Sequence, residues 1–316
     1  MGEMPKVDEL MQTLRGFQAS RTLLTAVELD VVGACGEGAP AEAVAAAVGA
    51  DPRATGMLLD ALAALGVLAK AGGQYRPTEA GRTLARERTG LMHMVHLWET
   101  WSGLTDCVRS GRSGRQGPSG RNVEAFIAAM DSHARALAGD AARLLEAGRV
   151  ERLLDVGGGP ATFAIAFARA NPRLRAEVLD LEPVVPIAQG HIRAAGLEDR
   201  VTVRAGDLRQ DGLGQGWDLV LVSAICHMLD EAENRDLLKR CAAALRPGGR
   251  VAIREFILDP DRTGPPAAAL FALNMLVGTA RGNTYTEAEY RGWLLEAGFT
   301  AVTRPVPGRD WMVGVL

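Results

Sequence analysis

The residues richest in chemical content form a short run, Leu153-Leu-Asp-Val-Gly-Gly-Gly-Pro-Ala-Thr-Phe163, in which a β-type stretch passes through three glycines into a helical one. Glycine lets the backbone approach a bound group closely, and the N-terminus of the following helix presents amides and a partial positive charge. An anionic group suits such a loop. Asp180, 23 positions past Gly157, ends the next β-type run, where a carboxylate can accept hydrogen bonds from ribose hydroxyls. Asp207 follows the third run and can accept from an adenine amino group, with Leu208 packed on the ring. His227 follows the fourth run and Glu255 ends the fifth. An imidazole titrates near ~6.5 in water, so at pH 7 it is mostly neutral and can take a proton from a hydroxyl.

Two ligand readings compete for the glycine loop. A dinucleotide fingerprint needs G-x-G-x-x-G, but counting from Gly157 the third glycine position holds Thr162, and Pro160 removes an amide that a pyrophosphate would use. Carboxylate, ribose and adenine contacts at the ends of successive strands instead describe S-adenosyl-L-methionine. His227 has its own alternative, since a lone histidine is commonly a structural one.

The elements that must position these groups are legible from periodicity. From residue 152 onward, β-rich runs (Arg152 to Val156, Arg175 to Asp180, Val201 to Ala205, Trp217 to Val222, Arg250 to Phe256) alternate with helical segments near Thr162 to Ala170, Val184 to Ala195 and Glu231 to Leu245. Such alternation predicts a parallel sheet covered by helices on both faces. After a helix at Glu287 to Ala297, the runs Phe299 to Arg304 and Asp310 to Val315 are joined only by residues 305–309, which permits a hairpin but not a parallel crossover. The expected fold is α/β, with a seven-stranded Rossmann-like sheet whose last strand is antiparallel, preceded by a mainly helical domain.

Apolar residues recur at helical spacing from Val7 to Val32, followed by helices at Pro40 to Val48 and Pro52 to Leu65 and a hairpin built from Gly66 to Lys70 and Gln74 to Gly81. This is a winged-helix pattern. A DNA reader would need cations on its second helix, which carries only Arg53 and Asp60 as charges. Packing or dimerisation fits that helix better. Residues 91–148 read as long helices broken by a loop at Ser110 to Gly120. The expected division is 1–88 for dimerisation, 89–150 for a helical linker and acceptor-pocket segment, and 151–316 for the cofactor.

Composition agrees with these assignments. A chain of 316 residues with 47% hydrophobic residues, 23% charged residues and a formal net charge of -3 can bury a core and has no global attraction for nucleic acid or anionic membrane. The four cysteines show no C-x-x-C pair, so neither zinc nor a disulfide framework is expected. His93, His96 and Glu99 share a helix face, but no carboxylate cluster supports a metal there. No signal-peptide pattern opens the sequence, and its longest apolar stretch, Ala267 to Gly278, is interrupted by Asn274 and falls short of the ~20 residues that span a bilayer. A cytoplasmic protein is expected.

The runs Asp155-Val-Gly-Gly-Gly159, Asp180-Leu-Glu-Pro-Val184, Gly206-Asp207, Ile225-Cys-His227, Leu245-Arg-Pro-Gly-Gly-Arg250 and Glu255-Phe-Ile-Leu-Asp259 occur in order through the C-terminal half. They resemble the small-molecule O-methyltransferases with an N-terminal winged-helix dimerisation domain, the group of caffeate-type and bacterial polyketide-tailoring enzymes. The resemblance implies that Gly157, Gly159, Asp180, Asp207, Leu208 and Ser223 hold the cofactor, with Ser223 standing where the family has a lysine. It implies His227 as general base, oriented by Glu255. Phe126, Met130 and His133 match acceptor-side positions, and His96 and Asn274 are further candidates for that wall. It also implies a homodimer and a small aromatic or polyketide-like methyl acceptor, with sulfur, carbon or nitrogen acceptors, or a regulator without methyl transfer, as alternatives. Four positions depart from the family: Met228-Leu229 replaces Asp-Trp after the histidine, Ser223 replaces the lysine, and a second family glutamate falls near Thr284.

Overall fold

The structure, a computed structural model, describes residues 7–113, 123–306 and 310–316. Most of the expected loop at Ser110 to Gly120, and part of the 305–309 link, lie outside the described residues. The chain divides into two compact units, Met1–Trp98 and Glu99–Leu316.

The first unit opens with α1 (Val7–Leu29), α2 (Val31–Ala34), α3 (Ala41–Val48) and α4 (Pro52–Ala64). Asp51 caps α4 by accepting from the Ala54 amide at 2.8 Å, with Pro52 at the first helical position. Strands β1 (Leu68–Ala71) and β2 (Gln74–Pro77) form the expected antiparallel hairpin around Gly72 and Gly73, both at positive φ. One expectation fails here. The run to Gly81 is not all strand, because Thr78 accepts from the Gly81 amide at 3.2 Å and starts a helix, α5 (Glu79–Arg86). A hydroxyl N-cap outweighs the β-type pattern before it. Val31, Val44, Leu59, Leu62 and Tyr75 gather in the core of this unit. α6 (Arg88–Trp101) carries the chain onward.

The second unit continues with α7 (Leu104–Ser110) and α8 (Val123–Leu144) and then alternates: β3 (Arg152–Val156), α9 (Thr162–Ala170), β4 (Arg175–Asp180), α10 (Val185–Ala195), β5 (Val201–Ala205), β6 (Trp217–Ser223), α11 (Glu231–Ala244) and β7 (Leu245–Arg254). A short strand β8 (Ile257–Leu258), α12 (Pro266–Gly278), β9 (Tyr285–Thr286), α13 (Glu287–Glu296), β10 (Ala301–Thr303) and β11 (Trp311–Val315) complete it. Capping boxes at Asp230 and Thr286 start α11 and α13, each worth on the order of 1 kcal/mol.

The seven-stranded sheet runs β10-β11-β7-β6-β3-β4-β5. All pairs among β5, β4, β3, β6 and β7 are parallel, while β11 is antiparallel to both β7 and β10. The last strand is reversed as expected, and it lies between β7 and β10. Period-two alternation divides the core: Leu153, Leu219, Leu221 and Ala252 pack with α8, α9 and α10, whereas Leu154, Val220, Val222, Val251 and Ile253 pack with α11 and α13. The order reverses between β3 and β6, so the switch point where open α/β sheets bind ligands lies where the Gly157 loop and the segment after Ser223 emerge. β7 is longer than expected at its start and stops at Arg254, which leaves Glu255 just past the strand end.

Candidate active site

At the switch point the loop after β3 is shaped by its glycines. Gly157 has φ +65°, its amide donates to the Leu179 carbonyl at 2.7 Å, and a Cβ there would fall 2.2 Å from Ile225 Cδ1 and 3.8 Å from Leu208 Cδ2. The cofactor candidate Leu208 and the segment leading to His227 therefore converge on this glycine. Gly158 lies over Asp155, since a Cβ there would sit 2.6 Å from the carboxyl carbon. Asp155 is fully enclosed, and burial first, then the neighbouring Asp180 carboxylate, push its pKa up to about 7.

Asp180, at the end of β4, accepts from the Gly159 amide through Oδ2 and from the Leu181 amide through Oδ1, both at 2.7 Å. Burial raises its pKa and these two amides partly offset the rise. Each oxygen retains a lone pair for a ribose hydroxyl. Asp207 accepts from the Arg209 amide at 2.9 Å and Gln210 Nε2 at 3.3 Å, and the adjacent Leu208 is half-buried against the core. Ser223 is the last residue of β6. The backbone-lined loop, the carboxylate and the half-buried leucine fit the anionic, ribose and base portions expected of S-adenosylmethionine.

His227 lies in a tight turn, Cys226–Met228, after β6 and is buried. Its Nδ1 is 2.7 Å from Glu255 Oε2, and its backbone amide donates to Glu255 Oε1 at 3.3 Å. One carboxylate thus fixes both ring and backbone. The turn is held from below by Asn234, whose Nδ2 donates to the carbonyls of Cys226 at 2.9 Å and Leu229 at 3.3 Å, and by the Tyr285 hydroxyl on Leu229 at 2.6 Å. Phe271 meets the imidazole edge-on at 4.8 Å and stacks on Phe256 at 4.1 Å. Asn283 donates its amide to the His227 carbonyl at 2.9 Å, and a Cβ on Gly282 would fall 2.3 Å from that oxygen. The segment where the family has a second glutamate reaches His227, and Thr284, which stands there without a carboxylate, is fully buried and spends its hydroxyl on the Ala268 carbonyl at 3.1 Å.

On α8, Phe126 and Met130 are half-buried one turn apart. His133 receives a hydrogen bond from Arg254 Nη2 at its Nε2, 3.0 Å away, and burial first, then the Arg254 charge, lower its pKa. Asn274, on α12, accepts from Trp101 Nε1 at 2.9 Å. His96 is half-buried on α6 within the first unit; the pKa of its neighbour His93 falls through burial and then the His96 charge. Sequence reasoning missed Asp131, which is buried on α8 and accepts from Thr162 Oγ1 at 2.6 Å and from Arg135 Nε at 2.8 Å. It ties α8 to the first turn of α9. A carboxylate next to Met130 on an otherwise apolar helix face was the available signal. Asn234 and Phe271 carried no such signal.

Residues 101–300 match the O-methyltransferase domain family, and residues 11–87 match the O-methyltransferase dimerisation domain family. The chain belongs to the O-methyltransferase family. Among its relatives, the 3-hydroxy-5-methyl-1-naphthoate 3-O-methyltransferase of Streptomyces sahachiroi is 35% identical over 91% of this chain and 88% of its own. The tetracenomycin polyketide synthesis 8-O-methyltransferase of Streptomyces glaucescens is 32% identical over 96% of this chain and 94% of its own. Human N-acetylserotonin methyltransferase, solved in complex with SAM, superposes with a TM-score of 0.84 at 26% identity over 100% of this chain and 99% of that one. This O-methyltransferase is an S-adenosylmethionine-dependent enzyme of the small-molecule class. Among the described residues, the O-methyltransferase has no helix long and apolar enough to cross a membrane, no cluster suited to a metal ion, and four buried cysteines, all free.

Proposed function

We propose that the enzyme methylates a hydroxyl of a small aromatic, polyketide-like molecule, with His227 as general base and Glu255 as the residue that positions it. The observation carrying this reading is the buried 2.7 Å contact between His227 Nδ1 and Glu255 Oε2 at the C-terminal edge of the sheet. With Nδ1 donating to the carboxylate, Nε2 is the nitrogen left to take the acceptor's proton, and the tautomer is assigned from that bond. Bound S-adenosylmethionine would supply an electrophilic methyl group on a sulfonium whose leaving group is a neutral thioether. Gly157, Gly159, Asp180, Asp207, Leu208 and Ser223 hold and orient it, Phe126, Met130 and Asn274 line the acceptor side, and Phe271 and Phe256 give His227 an apolar wall against water. The activities named for the two Streptomyces relatives, on a naphthoate and in polyketide synthesis, support an aromatic acceptor.

The test is turnover by His227→Ala against a panel of hydroxylated aromatics. The reading expects a loss of about 10²- to 10⁴-fold in kcat with S-adenosylmethionine affinity retained, as for a removed general base. Near-full turnover in this variant would reject His227 as the base. A homodimer formed through the first unit belongs to the same proposal, supported by the dimerisation-domain match and by Val7, Leu10, Leu14 and Phe17 exposed along α1.

A further inference from the structure

One face of α8 carries Phe126, Met130, His133, Leu137, Ala141 and Leu144 at spacings of three and four. The first three are acceptor-side candidates. The last three, together with Arg254 and Trp311, line a cleft of about 660 Å³. The cleft therefore lies along the same face of α8 as the acceptor-side candidates.

Arg254 stands where the two meet. As the final residue of β7 it pairs in register with Ser223 of β6 and Trp311 of β11, so its backbone lies at the ligand-binding edge of the sheet, one residue before Glu255. Its half-buried guanidinium donates to His133, and among the described residues no carboxylate oxygen comes within 4.0 Å of it. The remaining charges around it do not fill that role. Asp140 and Arg143, on the cleft wall, satisfy each other as an ion pair, while Asp310 and Glu255 act on Arg254 only at longer range. Burial lowers its pKa despite those two acids. A desolvated cation whose partner is a neutral ring is costly to keep, and a guanidinium fork matches a carboxylate with two parallel hydrogen bonds.

We propose that Arg254 is a specificity-determining residue that binds a carboxylate carried by the methyl acceptor, making the acceptor a hydroxylated aromatic acid. This rests on the O-methyl-transfer reading above and narrows it. The apolar walls at Leu137, Ala141 and Trp311 take the ring system, and the cation fixes one end of it.

The test measures calorimetric binding of hydroxynaphthoic and hydroxybenzoic acids and of their primary amides, in the presence of S-adenosylhomocysteine, to the wild-type enzyme and to Arg254→Met. Turnover with S-adenosylmethionine is measured in parallel. The wild type is expected to favour at least one acid over its amide by roughly 10- to 100-fold, the range for a charge-assisted pair, and Arg254→Met to bring that ratio within about 3-fold. A wild-type enzyme that binds acid and amide equally, or binds no acid, overturns the inference, as does an Arg254→Met enzyme that keeps the preference. Acid binding through Arg254 with no methylation of any hydroxyl upholds the site and rejects the transfer reading. Methylation without acid preference does the reverse.

Discussion

At His227, one ring nitrogen is given over wholly to orientation. Glu255 is enclosed beside it and also receives the His227 backbone amide, so ring, turn and carboxylate move as one body. Glu255→Gln keeps the shape but can present an N–H where the ring needs an acceptor, so kcat should fall by roughly 10- to 100-fold. The loss should add little when combined with His227→Ala; full additivity in steady-state kinetics would mean that the two act independently. Asp155 supplies a second residue-scale prediction. Its pKa is about 7 in the folded protein, against about 4 in an unfolded chain, so the folded state keeps a proton that the unfolded chain releases. The resulting stability is full below about pH 4 and declines as pH rises to about 7. Asp155→Asn, neutral throughout, should flatten that part of the Tm-against-pH curve, and parallel curves for the two proteins would refute the assignment. The positions of His227 and Asp180 were legible because one follows shortly after a recognisable strand and the other ends one. Asn234, Phe271 and Arg254 were not legible, since their importance arises only from what the folded chain sets beside them.

Among the elements, the loop between β3 and α9 is the most constrained. Gly157 meets two obstacles to a side chain, its left-handed φ and the Ile225 methyl, whereas Gly159 has the φ of +54° but a Cβ there would meet only Ile127 Cδ1, at an ordinary contact distance of 3.8 Å. The left-handed backbone alone costs a non-glycine residue about 1–2 kcal/mol. Gly157→Ala should therefore weaken S-adenosylmethionine binding and lower Tm more than Gly159→Ala does, with partial rescue of the former by Ile225→Ala. Equal effects in calorimetry and thermal melts would show that sterics at Ile225 do not matter. The strands were readable from β-branched runs and the helices from caps and periodicity, because both signals are local. α5 was lost at Thr78, where a capping hydroxyl overrode an apparent strand. The placement of β11 between β7 and β10 was beyond reach, because hairpin chemistry specifies that two strands pair but not which of them the rest of the sheet accepts.

For the whole molecule, the first unit leaves Val7, Leu10, Leu14 and Phe17 on the outside of α1, three of them more than half exposed. An apolar stripe of that kind marks an association surface. Leu14→Glu with Phe17→Glu should convert a dimer into a monomer by light scattering at micromolar concentration, while His227 and Glu255, in the other unit, remain intact. A wild-type protein that is already monomeric at that concentration would reject the dimer. The net charge of -3 was only permissive in the sequence. The lack of cationic side chains on α4 beyond Arg53 is the feature that favours the association proposed above over DNA reading.

The reversed strand β11 also sets an order of events during synthesis. The Glu255 amide donates to the Asp310 carbonyl at 2.8 Å, and β11 fills the place beside β7. On the ribosome, β7 must wait with one edge bare until the chain has been extended past residue 315. The carboxylate beside His227 is therefore locked only after β11 has been made, and a nascent enzyme should remain inactive, and prone to pairing through that edge, until the β10-β11 hairpin docks.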